Sequence, residues 1–216
     1  MPQISLYAEC AALIASTFLF FIKVEKHYRF FFLYMLVDVT IELSSFLIKK
    51  YYHHPNLLIY NIFVPLEAIF FMWAFTKVVT TNKTLKIIYT GMGGYVLFVL
   101  LNALFFQTNI FQLHTYDLIA GNILLSAAAI FYLQGSEYKQ GNNSFLYEPM
   151  FWVSIGLLLY ALPMSIMYTS FEYMAYKKIE SKSFYPVFSF MNNLCNILEY
   201  LCFSVGFTCR LRLRTL

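Results

Sequence analysis

The sequence predicts an all-α fold, a polytopic bundle of seven transmembrane helices with the N-terminus outside and the C-terminus in the cytoplasm. Three observations carry this expectation. The 216-residue chain is 60 % hydrophobic and 20 % aromatic but only 12 % charged, far from the composition of ordinary soluble domains. Its apolar residues gather in runs, each close to the ~20 residues a helix needs to cross a bilayer. Those runs are continuous, as in "RFFFLYMLV". Strands of a membrane barrel would alternate apolar and polar residues, and barrels are the only rival to helices in lipid.

The first run, Ile4 to Ile22, carries Glu9 between Ser5 and Ser16. Its start, "MPQISLYAEC", has no basic n-region and no small-residue cleavage site, so it is expected to remain as a helix. The second, Phe30 to Ile48, places Asp38 and Glu42 one turn apart on a stripe with Tyr34 and Ser45. The third, Leu57 to Thr76, sets Tyr60 and Glu67 seven residues apart. The fourth, Leu85 to Phe106, contains "GMGG" without the strand-to-helix context of a nucleotide loop, so these glycines are expected to pack a neighbouring helix. The fifth and sixth are Tyr116 to Gln134 and Met150 to Phe171, joined by the longest connection, "GSEYKQGNNSFLYEP", with Gly, Asn and Pro punctuation.

The seventh run, Tyr185 to Phe207, brings Ser189, Asn192, Asn196 and Glu199 onto one face at i, i+3, i+7 and i+10. Cys195, Cys202 and Cys209 recur every seven residues, which separates them by about 10 Å along a helix. One metal cannot bridge that distance, and small residues at a helix-packing seam are the expected role. The segments "NIFVPLEAIFFMWAF" and "NLCNILEYLCFSVGF" agree at Asn, Leu, Glu, Phe and Phe. They would be equivalent in a 3+1+3 parallel repeat, although a chain rich in Phe and Leu also produces such matches unaided.

Orientation follows from Lys and Arg, which cytoplasmic segments hold in excess. Lys23, Lys26, Arg29, Lys77, Lys83, Lys86, Lys139, Arg210, Arg212 and Arg214 lie on one side, against Lys49, Lys50, Lys177, Lys178 and Lys182 on the other. The net charge of +4 is therefore topology signal and attraction to the anionic headgroups of the lipid bilayer, not a sign of nucleic acid.

A charge at mid-bilayer costs at least ~2.5 to 3.5 kcal/mol on insertion scales, so the acids must face the bundle interior. At 1.5 Å per residue from the outer boundary, Glu9 falls near ~8 Å, Glu42 near ~12 Å, Glu67 near ~15 Å, and Asp38 and Glu199 near ~18 Å. The inner third of the first three runs holds instead a bulky layer of Phe18, Phe20, Phe21, Phe30, Phe31, Phe32, Phe70, Phe71, Trp73 and Phe75. The expectation is an outward-facing polar pocket closed toward the cytoplasm by aromatic packing. With no Lys or Arg in any span, the carboxyls must be neutralised by protons, by hydrogen bonds from Asn and Tyr, or by a bound cation. Asp38 and Glu42 are the pair expected to share a proton. Glu9, Asp38, Glu42, Tyr60, Glu67, Asn192, Asn196 and Glu199 form the candidate ligand- or ion-binding set. The opposing reading treats each as interhelical hydrogen-bond glue.

Much chemistry is missing. His27, His53, His54 and His114 all lie between spans, which removes intramembrane histidine boxes and paired haem ligands, and no catalytic residue, metal site or cofactor is expected. The seventh span has no lysine for a retinal Schiff base, and no G-x-S-x-G elbow occurs.

The stretches "NLLIYNIFVPLEAIFF", "LLNALFFQTNIFQLHTYD", "EPMFWVSIGLLLY" and "NNLCNILEYLCFSVGF" resemble an uncharacterised family of short bacterial seven-helix integral membrane proteins. That resemblance implies topology and a bacterial inner-membrane location; no activity is known for the family, so it transfers no catalytic residue. Pro65, Leu66 and Glu67, followed by Phe70 and Phe71, look like the P-L-E-E segment of membrane-bound lycopene cyclases. Ala68 stands where those enzymes carry a second acid, a departure that undercuts acid-driven ring closure.

Three functions fit these features. The first is a receptor or sensor that takes a small polar or cationic solute, or protons, from outside and signals through a cytoplasmic signalling protein or a homo-oligomer, with the basic inner loops and tail as docking surface. The second is a proton- or cation-coupled transporter or channel. The third is an intramembrane enzyme using Asp38 or Glu67 as general acid on a lipid or isoprenoid.

Overall fold

A computed structural model describes residues 4–21, 25–52, 57–109, 111–137, 145–179 and 183–209. The described residues form seven α-helices and no strand: α1 (Ile4–Thr17), α2 (Phe30–Tyr52), α3 (Leu57–Val78), α4 (Asn82–Leu101), α5 (Thr115–Glu137), α6 (Pro149–Lys177) and α7 (Phe184–Thr208). His53 and His54, Lys23, Lys139, Lys182 and the arginines of the tail lie outside the described residues.

Five helices, α2 to α6, are long and apolar enough to cross a membrane, and α1 with its extension is a shorter apolar helix. Two of the seven expected spans therefore differ from the rest. α1 gives way at Phe18–Phe20 to a 3₁₀ turn, where the Ser16 and Thr17 hydroxyls donate to Leu13 O and Ile14 O at 2.6 Å, a local competition that tightens a helix end. α7 has length to spare at 25 residues, but its asparagines and serines dilute its apolar content. α6 runs six residues past the expected Phe171 and stops where Lys178 turns left-handed at φ 53°.

α1, α3, α5 and α7 begin at one end of the bundle, the polar end, and α2, α4 and α6 begin at the other, the aromatic end. α7 packs between α1 and α6; α5 joins α6 to α3; α2 lies against α1; α4 covers α3 and α5 from outside. The ring closes between α2 and α3 through aromatic side chains, with Phe31 5.3 Å from Phe70 and Tyr34 5.0 Å from Phe71. Toward the aromatic end Phe31, Phe71, Phe203 and Phe207 are buried together. The expected aromatic layer is thus half right: Phe31, Phe71 and Phe75 are core, whereas Phe18, Phe20, Phe21 and Phe30 point outward, where lipid is a good solvent for them.

The helices approach most closely at the α6–α7 seam. A Cβ on Gly156 would stand 3.0 Å from Glu199 O and 3.1 Å from Cys202 Cβ, and one on Gly206 2.9 Å from Pro149 O. Cys195 and Cys209 are buried and free of disulfides, so the cysteine row serves this packing. The "GMGG" glycines divide: Gly91 packs against α5, where its Cβ would stand 3.5 Å from Leu124 Cδ2. Gly93 and Gly94 face open space, because α4 sits at the periphery. A 3+1+3 repeat would pair α1 with α7 as α5 pairs with α3, and both contacts exist. It would also make α2–α3 resemble α6–α7, and there the two halves diverge, rings on one side and glycines on the other.

Candidate functional site

Five carboxyl side chains from four helices turn into the bundle. Glu9 on α1, Asp38 on α2 and Glu199 on α7 are only 3 %, 4 % and 5 % exposed, while Glu42 and Glu67 are half-buried. They form one electrostatic group: Glu199 interacts with Glu67, Asp38 and Glu9, and Asp38 with Glu67, Glu9 and Glu42. Among the described residues no Lys or Arg is ion-paired with any of them.

Neutral hydroxyls take the place of countercharges. Tyr60 Oη donates to Glu42 Oε1 at 2.8 Å, Tyr200 Oη donates to Asp38 Oδ2 at 2.7 Å, and Tyr34 Oη donates to Glu67. Ser5 faces Glu9, whose Oε2 is buried with no hydrogen-bond partner among the described residues. Asp38 and Glu42 were the pair expected to share a proton. Asp38 accepts from Tyr200 of α7 and Glu42 from Tyr60 of α3, and the two acids also interact with each other. Glu199 differs from the other four in having no side-chain hydrogen bond to a described residue.

Of the eight expected site residues, the structure gathers six, Glu9, Asp38, Glu42, Tyr60, Glu67 and Glu199. Asn192 and Asn196 are not gathered. Asn196 Nδ2 donates to the Asn192 carbonyl at 2.8 Å within α7 itself, an i−4 back-bond that lets a polar side chain sit in an apolar helix without a tertiary partner. Ser189 is exposed, and its carbonyl accepts from Asn193 Nδ2 at 2.8 Å.

Two polar groupings escaped the sequence reading. At the polar end Asn102, buried in a π-helical turn (Asn102–Phe106), donates to Asp117 Oδ1 at 2.9 Å and to Gln107 Oε1 at 3.0 Å. Gln107 Nε2 donates to Thr115 Oγ1 at 3.0 Å, Thr115 donates to Glu172, and His114 Nδ1 lies 3.5 Å from Asp117 Oδ2. His114 is a loop residue, as expected, yet it is buried, its backbone N–H donating to Asn61 Oδ1 at 3.0 Å. The density of polar residues in "NALFFQTNIFQLHTYD" was a usable signal, because a connection that packs down must satisfy its own backbone. The second grouping is Asn122 on α5 and Tyr160 on α6, which line a cavity of about 30 Å³ together with Glu67 and Glu199. Single polar residues in long apolar runs gave no pattern to find.

Toward the aromatic end this region is shut by the packed rings of Phe31, Phe71, Phe203 and Phe207, and beyond them Tyr28 donates a hydrogen bond to Glu148. Among the described residues no three or more His, Cys, Asp or Glu side chains are disposed to hold a metal ion. No protein-family model matches the chain, and neither a curated protein nor a solved structure matches it.

Proposed function

We propose that this multi-pass membrane protein is a receptor or sensor that binds protons or a small cation at the intramembrane carboxyl cluster from the polar end. That end is taken as the outer face of a bacterial inner membrane, with the N-terminus outside. The observation that carries the reading is the convergence of Glu9, Asp38, Glu42, Glu67 and Glu199, with tyrosine hydroxyls on Asp38, Glu42 and Glu67 and, among the described residues, no Lys or Arg ion-paired with any of the five. Five carboxyls turned into the bundle, three buried and two half-buried, are too costly in lipid to serve as glue alone, and a positive ligand offsets their mutual repulsion. The aromatic layer favours a sensor over a transporter, since it closes one side. The signal passes to a cytoplasmic signalling protein or a second copy of the chain.

A proton- or cation-coupled transporter is the second reading. It is favoured by Pro65, two residues before Glu67 in α3, and Pro163 within α6, where missing backbone hydrogen bonds make bending easy.

The test is thermal unfolding of the full chain in lipid nanodiscs at varied pH and with Na⁺, tetramethylammonium or putrescine. A ligand that stabilises the folded state by about 2.7 kcal/mol at a hundredfold excess over its Kd should lose that effect in Glu199→Gln. Flux of the same ion into proteoliposomes transfers the assignment to transport. Unfolding indifferent to pH and to every cation sinks both readings.

A further inference from the structure

The cavity where α3, α5, α6 and α7 meet has three properties that fit together. Its volume of about 30 Å³ holds one or two waters and no organic solute. Asn122, 7 % exposed, lines it, and its Nδ2 has no hydrogen-bond partner among the described residues. Glu199, also on the wall, has a carboxyl with no hydrogen-bond donor among the described residues, and Glu67 completes the polar lining with Tyr160. A donor and acceptors thus face one water-sized space, and a buried amide left unsatisfied costs about 1–3 kcal/mol.

We infer that this cavity is a proton-holding site in which a water, fixed by a hydrogen bond from Asn122 Nδ2, bridges Glu67 and Glu199, so that the two carboxyls share one exchangeable proton. The inference rests on the cation-binding reading above and specifies its ligand as the proton. A metal cation fits poorly, because the unpartnered group is an N–H donor whose positive end would repel it. An organic cation is too large for the space. The transfer is balanced within the site: the O–H of one carboxylic acid gives its proton to the water, the water gives one of its own to the other carboxylate, and no other bond changes. The titratable groups facing the pair from neighbouring helices are Glu9 from α1, Tyr34, Asp38 and Glu42 from α2, Tyr95 from α4 and Tyr160 from α6, with Tyr34 donating its hydroxyl to Glu67 and Tyr168 beside Tyr160. None is basic, so nothing competes with the proton as countercharge.

Infrared pH-difference spectroscopy of the full chain in bilayers tests this. The wild type should show a carboxylic C=O band that titrates as one coupled step. Glu67→Gln and Glu199→Gln should each remove that coupled step and leave in its place a single-acid titration with a displaced midpoint, because the two acids titrate as a unit. Asn122→Leu, which fills the space with apolar atoms, should shift the midpoint of proton uptake by roughly tenfold in proton concentration, and Asn122→Ala should keep it near the wild-type value by admitting a second water. If Asn122→Leu does not fold, loss of the coupled step in both Gln variants still stands as the decisive reading. Two independent bands, each removed by one variant, overturn the shared proton, and so does a midpoint unmoved in Asn122→Leu. A band erased by Na⁺ in the wild type identifies a metal cation instead and leaves the broader reading standing. Persistence of every band in the Glu67, Glu199, Asp38 and Glu9 variants overturns both.

Discussion

The seam between α6 and α7 and the seam between α2 and α3 solve the same packing problem in opposite ways. At α6–α7 the side chain is deleted: Gly156 meets the Glu199 carbonyl and Gly206 the Pro149 carbonyl, backbone against backbone. At α2–α3 rings are inserted, with Tyr34 4.9 Å from Phe70 and its hydroxyl on Glu67. Association in lipid has no hydrophobic drive, so it relies on close contact and interhelical hydrogen bonds. The glycine seam supplies the first and the tyrosine seam the second. The tight seam also serves the looser one. By clamping α7 at Gly156, it sets the depth at which the Glu199 side chain enters the cavity shared with Glu67.

That division can be broken most forcefully at the glycines. Gly206→Leu should destabilise the protein by about 1–3 kcal/mol or more through overpacking, read as a fall in the thermal unfolding midpoint in detergent, and Cys202→Ala beside Gly156 should cost far less. Equal effects would mean that the α6–α7 approach is not tight. Next in size is Tyr200→Phe, which removes the donor to Asp38 and should cost about 0.6–1.7 kcal/mol by the same measurement, the range for interhelical hydrogen bonds in membranes. No loss there would make the tyrosine–carboxyl bonds ornamental. Smallest is Gly94→Ala on the open face of α4. It should leave stability unchanged or raise it by at most ~1 kcal/mol, since alanine is the better helix former. A clear loss would place an unseen contact on α4.

The two seams were unequally legible. The acids of the α2–α3 side stood out in the sequence because a carboxyl in an apolar run is rare, and lipid leaves it only the interior. The glycines of α6–α7 did not, since Gly156 and Gly206 are isolated, while two glycines of the conspicuous "GMGG", Gly93 and Gly94, face outward. Asn192 and Asn196 misled for a related reason: a face shared on a helical wheel does not distinguish an amide that reaches across from one that bonds its own backbone, as Asn196 does.

The sequence by itself determined that the chain is helical, roughly where each helix runs, and that its carboxyls lie inside. All three follow from a local requirement, because in lipid each segment must satisfy its own backbone and shed its charges. Only the tertiary structure decided which tyrosine meets which acid, that Asn102 and His114 join Asp117, and that Asn122 opens onto Glu67 and Glu199. Those pairings depend on the rotation and depth of one helix against another, which residues far apart in the chain, such as Gly156 and Gly206 on one side and Phe31 and Phe70 on the other, set jointly.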